Sequence, residues 1–369
     1  MRLDAIHLRV IRLRLREPFT ISSGTTLQRR ILLTRLEFDG AEGLGECVAG
    51  EAPFYSAETV DTARHVIREH LAPAVVGRSL ADAAAMGRVM DRAARGHNMA
   101  KAALEMAAWD AFARAADRSL ASALGGVRAA VPAGVSIGIH EDTESLMDRV
   151  ATFLEQGYLR VKLKIAPGRD TAVVDAVRTR FPDAALSVDA NAAYTARDLD
   201  RVRALDAYDL EYIEQPFAGD ALLLHARLQD SIETPVCLDE TITTPTRCRD
   251  ALELGAARVV NIKPGRLAGH GPSLAVHDLC ADAGVPVWCG GMLESGIGRA
   301  HNVALASLPN MRLPGDTSAS GRYWERDVVD PPFTLNDDGT VTVPGGPGIG
   351  VRVDEDYLDA MTESAVTLV

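Results

Sequence analysis

The chain has 369 residues, 47% of them hydrophobic and 24% charged, with a net charge of −12. An acidic balance of this kind argues against nucleic acid and anionic membrane as partners, and no run approaches the ~18 consecutive apolar residues of a membrane span. The five cysteines (Cys47, Cys237, Cys248, Cys280, Cys289) show no Cys-x-x-Cys spacing and form an odd number, so a reduced, cytoplasmic protein without disulfides is expected.

Residues 1–125 read as an α+β unit. Strand-like runs cover Ile6–Leu15 and Ile31–Phe38, the second closed by the turn Asp39-Gly40. Helical patterns follow at about Ala57–Leu71 and Asn98–Arg114, where Leu104, Ala107, Ala108 and Ala111 share one face. From about Val131 short apolar strands alternate with amphipathic helices. The strands are Val131–Ile137, Leu159–Ile165, Ala185–Asp189, Leu210–Glu214, Val236–Asp239, Arg258–Ile262 and Val285–Cys289, with a weak eighth near Met311–Leu313. Such repetition predicts a parallel sheet closed into a β/α barrel over residues 126–320. The C-terminal part, 321–369, leaves the pattern; Val341-Thr342-Val343 and Pro344–Gly350 read as a strand and a turn returning to the first unit.

Polar residues interrupt the barrel pattern at regular places. In Leu159-Arg160-Val161-Lys162-Leu163-Lys164-Ile165 the apolar set can face the helices, which turns Lys162 and Lys164 inward. A lysine inside a barrel is costly unless it is paired or used. Later strands end in Asp189, Glu214, Asp239 and Lys263, and positions 164, 189, 214, 239 and 263 are spaced 25, 25, 25 and 24 apart. One strand–helix unit has that length, so the five charges fall at one height at the C-terminal mouth, where such barrels carry their active sites. A single Asp in such a loop reads as a helix cap; three in register, flanked by lysines, do not.

Asp189, Glu214 and Asp239 make a hard, all-oxygen site that suits Mg2+, with Mn2+ as a substitute. Asn191 and Glu240 stand where they can hydrogen-bond to ligands or lysines. Lys164 and Lys263 flank the carboxylates, so a small-molecule carboxylate bound between them would present one face of its α-carbon to each. Lys162 adds a like charge near Lys164, which favours the neutral, basic form. A metal there stabilises the charge that develops on the carboxylate as the α-proton leaves.

These residues resemble the enolase superfamily, whose pairing of Lys or His bases with magnesium is an established pattern. The Lys-x-Lys strand, Val188-Asp189-Ala190-Asn191, Ile213-Glu214-Gln215-Pro216, Leu238-Asp239-Glu240 and Lys263 match its muconate-lactonising subgroup in order and spacing. Gly96–Glu105, Gly134–Ile139, Val260–Arg266, Trp288–Gly296 and Leu313–Ser320 are similar to the N-succinylamino acid racemase / o-succinylbenzoate synthase family. The resemblance covers nearly the whole chain. It implies a modified (β/α)7β barrel of TIM type with an α+β capping domain built from both chain ends. It further implies Lys164 and Lys263 as the acid/base pair, Asp189, Glu214 and Asp239 as Mg2+ ligands, and an oligomer between dimer and octamer.

Two capping loops are expected to close over the substrate, one near 18–24 that carries Phe19 and one near 50–55. Gly290, Gly291 and Met292 follow the seventh strand, where the glycine pair leaves space and N–H groups for an acyl tail; Ser136 is a further hydrogen-bond candidate. Arg266, three residues past Lys263, is expected to tune that lysine or order nearby carboxylates. The implied activity is racemisation of N-acyl- or N-succinylamino acids, with o-succinylbenzoate synthase dehydration as a companion or as the dedicated activity. Muconate cycloisomerase shares the lysines. A dipeptide epimerase would carry a second Asp beside Asp316, and a mandelate racemase-like enzyme a histidine at the seventh strand. A Schiff-base aldolase needs one barrel lysine but not three carboxylates, and a non-catalytic barrel needs none of these groups.

Overall fold

The computed structural model describes all 369 residues. Its N-terminal part is an antiparallel sheet built on a long hairpin, β1 (Leu3–Ile21) and β2 (Gly24–Phe38), followed by β3 (Ala41–Cys47). The last strand of the chain, β13 (Thr362–Leu368), pairs with β1 and completes the order β13-β1-β2-β3. Alternation gives this sheet two apolar faces. Leu8, Val10, Leu32 and Leu36 lie in the core shared with the N-terminal helices, whereas Ile11, Leu13, Ile31 and Leu33 join the core of the barrel. The same hairpin therefore belongs to both hydrophobic cores, which fixes the cap on the barrel.

The barrel sheet is parallel, in the order β11-β10-β9-β8-β7-β6-β5. Its strands are β5 (Gly134–Ile137), β6 (Arg160–Lys164), β7 (Leu186–Asp189), β8 (Ile213–Glu214), β9 (Val236–Leu238), β10 (Val259–Ile262) and β11 (Val287–Cys289). The eighth position expected near Met311–Leu313 is not a strand. Two isolated bridges stand there, Val287 with Met311 and Ala133 with Gly315, and between them they span the gap from β11 back to the start of β5. Residues 311–316 hold one proline and one glycine and too few apolar positions to propagate a ladder.

One further expectation differs. Thr340–Thr342 (β12) pairs antiparallel with β4 (Ala130–Pro132), ahead of the first barrel strand, and not with the capping sheet. The C-terminal residues that return to the cap are those of β13.

Strand β3 lies directly on the Asn98–Ala115 helix, and the approach is possible only because it carries glycines. A Cβ on Gly45 would stand 2.1 Å from the carbonyl oxygen of Ala103, and one on Gly43 2.0 Å from that of Ala107. The helix answers with alanines at 103, 107 and 111. Gly45→Val should therefore push the strand off the helix and lower stability by ~1–3 kcal/mol, the usual cost of overpacking. Thermal unfolding checks this; an unchanged midpoint would mean the two elements do not pack so closely.

Candidate active site

Registry and barrel shear together decide which charges meet. Lys164 pairs with Asp189, and Asp189 with Glu214. Glu214 pairs with Cys237, so Asp239 lies two residues further along its strand. Leu238 pairs with Val260, which puts Asp239 opposite Asn261 and Lys263 two residues further again. The five charges thus advance four residues over four strand steps. Tilted strands of an eight-position barrel advance about one residue per strand at constant height. The group is level about the barrel axis although not along the hydrogen-bond rows.

Each acid is buried and met by a base. Asp189, Glu214 and Asp239 are at most 1% exposed. Lys164 Nζ donates to Asp189 Oδ2 at 2.5 Å and to Asn191 Oδ1 at 2.8 Å, and Asn191 Nδ2 donates to Glu240 Oε1 at 3.0 Å. Lys263 Nζ donates to Asp239 Oδ2 at 2.8 Å, while Arg266 donates to Asp239 Oδ1. Tyr55 of the capping domain places its hydroxyl on both bases, 3.3 Å from Lys263 Nζ and within hydrogen-bond contact of Arg266.

Lys162 is drawn downward, to Glu214 at 2.8 Å and Asp316 at 2.9 Å. Burial works against its charge, but Asp316, Glu214 and Asp189 more than offset that, so its pKa stands well above the ordinary lysine value. Its ammonium is thus paired with Glu214 and Asp316. Lys263 is likewise held protonated, with burial outweighed by Asp239.

The acids divide: despite burial, Lys164 and Lys162 hold the Asp189 carboxyl below the usual carboxylate range and Arg266 and Lys263 do the same for Asp239, whereas Glu214 goes the other way. Burial, then the neighbouring charges of Asp189 and Asp239, push the Glu214 carboxyl up to about 8, with Lys162 opposing. Carboxylates that repel one another this strongly form a donor set that a divalent cation would relieve. All are hard oxygen donors, and Glu240 Oε2 and Asn261 Oδ1 are further buried oxygens without a hydrogen-bond partner. As they stand, no three of these acids converge closely enough to grip an ion, because each is turned to a lysine or arginine. The donor chemistry fits magnesium once the side chains rotate toward one another.

Sequence reasoning missed several members of this group. Arg160 shares the inward parity of Lys162 and Lys164, and that parity alone is the signal that could have found it. It is 1% exposed, donates to Asp316 Oδ1 at 2.9 Å, and lies 5.1 Å over the Trp288 ring. Asp316, on the segment that replaces an eighth strand, accepts from Ser136 Oγ at 3.1 Å as well as from Arg160 and Lys162. Ser136 therefore lines the site with its hydroxyl already committed. Gln215 accepts from the N–H groups of Asp239 (2.9 Å) and Thr241 (3.1 Å) and so holds the end of β9.

The glycine pair also differs from expectation. A Cβ on Gly290 would fall 2.2 Å from Asn261 Oδ1 and 2.6 Å from Lys263 Cε, so this glycine makes room for the lysine rather than for an acyl tail. Its N–H is spent on Ile262 O at 3.1 Å. Gly291 and Met292 do line the cavity above the charges.

The two capping segments cover that cavity. Residues 18–24 are not a loop but the tip of the β1–β2 hairpin, with only Ser22 and Ser23 outside the strands. Ser22 Oγ donates to Ala190 O at 3.1 Å and Ile139 N to Thr20 O at 2.8 Å, which seats the tip on the barrel mouth. Phe19 stands edge-on to Tyr323, and Phe54 of the 50–55 turn lies against Gly24. Beneath them the cavity holds about 100 Å³, lined by Lys164 and Lys263 together. That is below the ~300 Å³ of ordinary ligand pockets.

Residues 5–125 match the family "Mandelate racemase / muconate lactonizing enzyme, N-terminal domain", and residues 145–357 match "Enolase C-terminal domain-like". The chain belongs to the enolase superfamily. It is 48% identical to an N-succinylamino acid racemase of Thermus thermophilus, over 98% of both chains. It is 45% identical to an o-succinylbenzoate synthase of Geobacillus kaustophilus, over 98% of this chain and 96% of that one. Among solved structures, an enolase superfamily member from Listeria innocua superposes with a TM-score of 0.96 at 39% identity, covering 100% of this chain and 99% of the other. Superfamily members generally use Mg2+. No helix is long and apolar enough to cross a membrane.

Asp316 ties three of the inward-facing polar groups together, and it gives a direct test of the network. Asp316→Ala leaves Lys162 and Arg160 short of an acid in a buried site, which should cost ~3–5 kcal/mol. A clear fall in the unfolding midpoint is expected. A variant as stable as the parent would show that these charges do not depend on one another.

Proposed function

We propose that this protein moves the α-proton of an N-acylamino acid, preferably an N-succinylamino acid, with Lys164 and Lys263 as the two acid/base residues. The observation that supports this reading most strongly is that Lys164 and Lys263, four strands apart, line one covered cavity with Asp189, Glu214 and Asp239 between them. Asp189, Glu214 and Asp239 would hold Mg2+, which supplies stabilisation of the negative charge that grows on the substrate carboxylate when the proton leaves.

Each lysine reaches one face of the α-carbon. Each lysine is now paired with a carboxylate, Asp189 for Lys164 and Asp239 for Lys263, and Asp239 favours the protonated, donating form of Lys263. Asn191 orients Lys164 and passes a hydrogen bond to Glu240. Arg266 shares Asp239 and Tyr55 with Lys263, so it sets where that lysine stands. The hairpin tip and the Phe54 turn exclude water while charge is exposed.

A second reading rests on the same residues. Dehydration to o-succinylbenzoate needs one base, Lys164, and uses Lys263 chiefly as a positive charge, and both activities occur among the chain's relatives.

Racemisation of N-succinyl hydrophobic amino acids, followed by polarimetry, tests the proposal. Activity should vanish in EDTA and return with Mg2+ or Mn2+; full activity in EDTA would overturn the metal assignment. Asp239→Asn should lose far more than the ~10- to 100-fold typical of groups that only support a metal ligand. Arg266→Gln should impair racemisation more than dehydration, because only the first needs Lys263 to carry a proton. Equal and negligible effects on both would leave Arg266 without a part in either.

A further inference from the structure

One buried charge near the cavity has no counter-ion. Arg29, on β2, is 7% exposed and lines the same cavity as Lys164 and Lys263. Its Nη2 donates to the backbone carbonyls of Val48 at 2.9 Å and Ala49 at 3.2 Å. Its Nε is buried without any partner. Its Nη1 makes no hydrogen bond in the protein and yet is not among the enclosed, unpartnered atoms, so it remains accessible. No carboxylate lies within ion-pair distance, whereas Arg160, Lys162, Lys164, Lys263 and Arg266 each have one.

The nearest acids are engaged elsewhere. Glu46 accepts from Ser295 and Gly298, and Glu294 accepts from Met292 N and Asn302. Burying a guanidinium without a partner is costly, and a carboxylate is the group its fork matches best. The cavity is of mixed character: Phe19, Ile21, Phe54 and Met292 give it apolar walls, and Lys162, Lys164, Lys263 and Asp316 line it as well. An aliphatic chain that ends in an anion fits such surroundings.

We propose that Arg29 is a specificity residue that takes the distal carboxylate of the substrate's succinyl group, while the α-carboxylate stays with the lysines. This rests on the proposed reading of the site. It applies to both of its forms, because an N-succinylamino acid and o-succinylbenzoate carry the same anionic tail. Arg29 touches neither the α-carbon nor the proton, so it governs which acyl chain is accepted and not the proton transfer.

The test compares three acyl groups on phenylalanine: N-succinyl, its neutral terminal amide N-succinamoyl, and N-acetyl. The parent enzyme should favour N-succinyl over N-succinamoyl by about 10- to 100-fold in kcat/KM, the range of a charge-assisted hydrogen bond in a covered site. Arg29→Met should bring the ratio of N-succinyl to N-succinamoyl turnover to about one, whatever its overall rate. Arg29→Lys should keep part of the preference. The proposal is overturned if the parent does not distinguish succinyl from succinamoyl, if Arg29→Met keeps the parent's ratio, or if all three substrates fall together. Should the parent turn over no N-acylamino acid, the racemase reading fails by itself. Calorimetric binding of o-succinylbenzoate against its terminal amide, to parent and Arg29→Lys, then decides the role of Arg29 by the same ratio.

Discussion

Five basic side chains (Arg160, Lys162, Lys164, Lys263, Arg266) and five acidic ones (Asp189, Glu214, Asp239, Glu240, Asp316) crowd the interior and mouth of one barrel. Charges buried at this density are costly unless they find opposite partners, and much of the rest of the fold serves to bring those partners together. Shear brings residues from successive strands to one level. The glycine at 290 admits the stem of Lys263. Gln215 fixes the end of β9 through two backbone N–H groups. The broken eighth position delivers Asp316, which a regular strand would carry less freely, to the point where Arg160, Lys162 and Ser136 converge.

The pairing also prepares the site for chemistry. A lysine paired with a carboxylate is an acid, and the same lysine released from it is closer to being a base. Were Asp189 and Asp239 to hold a divalent cation, Lys164 and Lys263 would lose the carboxylates that pair with them here. The cap adds the second requirement. Its hairpin is anchored in two hydrophobic cores at its base and touches the barrel at its tip through a few hydrogen bonds. An element with a rigid base and a lightly held tip can open without disturbing the sheet.

Much of this was legible in the sequence because the barrel repeats. The interval of about 25 residues placed Lys164, Asp189, Glu214, Asp239 and Lys263 on successive strands, and strand alternation turned Lys162 and Lys164 inward. The same alternation held Arg160, but an arginine at the start of a strand reads as a surface residue until its partner is known. That partner, Asp316, lies 156 residues away on a segment with no strand pattern. Gly290 was misread because a glycine in a loop suggests space, and only coordinates reveal that a lysine already fills it. The hairpin tip was misread for a related reason: Ser, Thr and Gly predict a turn, whereas pairing of Phe19–Ile21 with Gly24–Thr26 extends the strands almost to the end. Arg29 gave no signal, since the missing counter-ion is a property of the packed molecule.

The central claim is that two lysines serve opposite faces of one α-carbon, and α-proton exchange in D2O followed by NMR tests it most directly. Lys164→Ala and Lys263→Ala should each fail to racemise, yet each should exchange the α-proton of one enantiomer of an N-succinylamino acid through the lysine that remains. The two variants should select opposite enantiomers. If either variant exchanged both enantiomers alike, or still racemised at near the parent rate, the two-base arrangement would be contradicted.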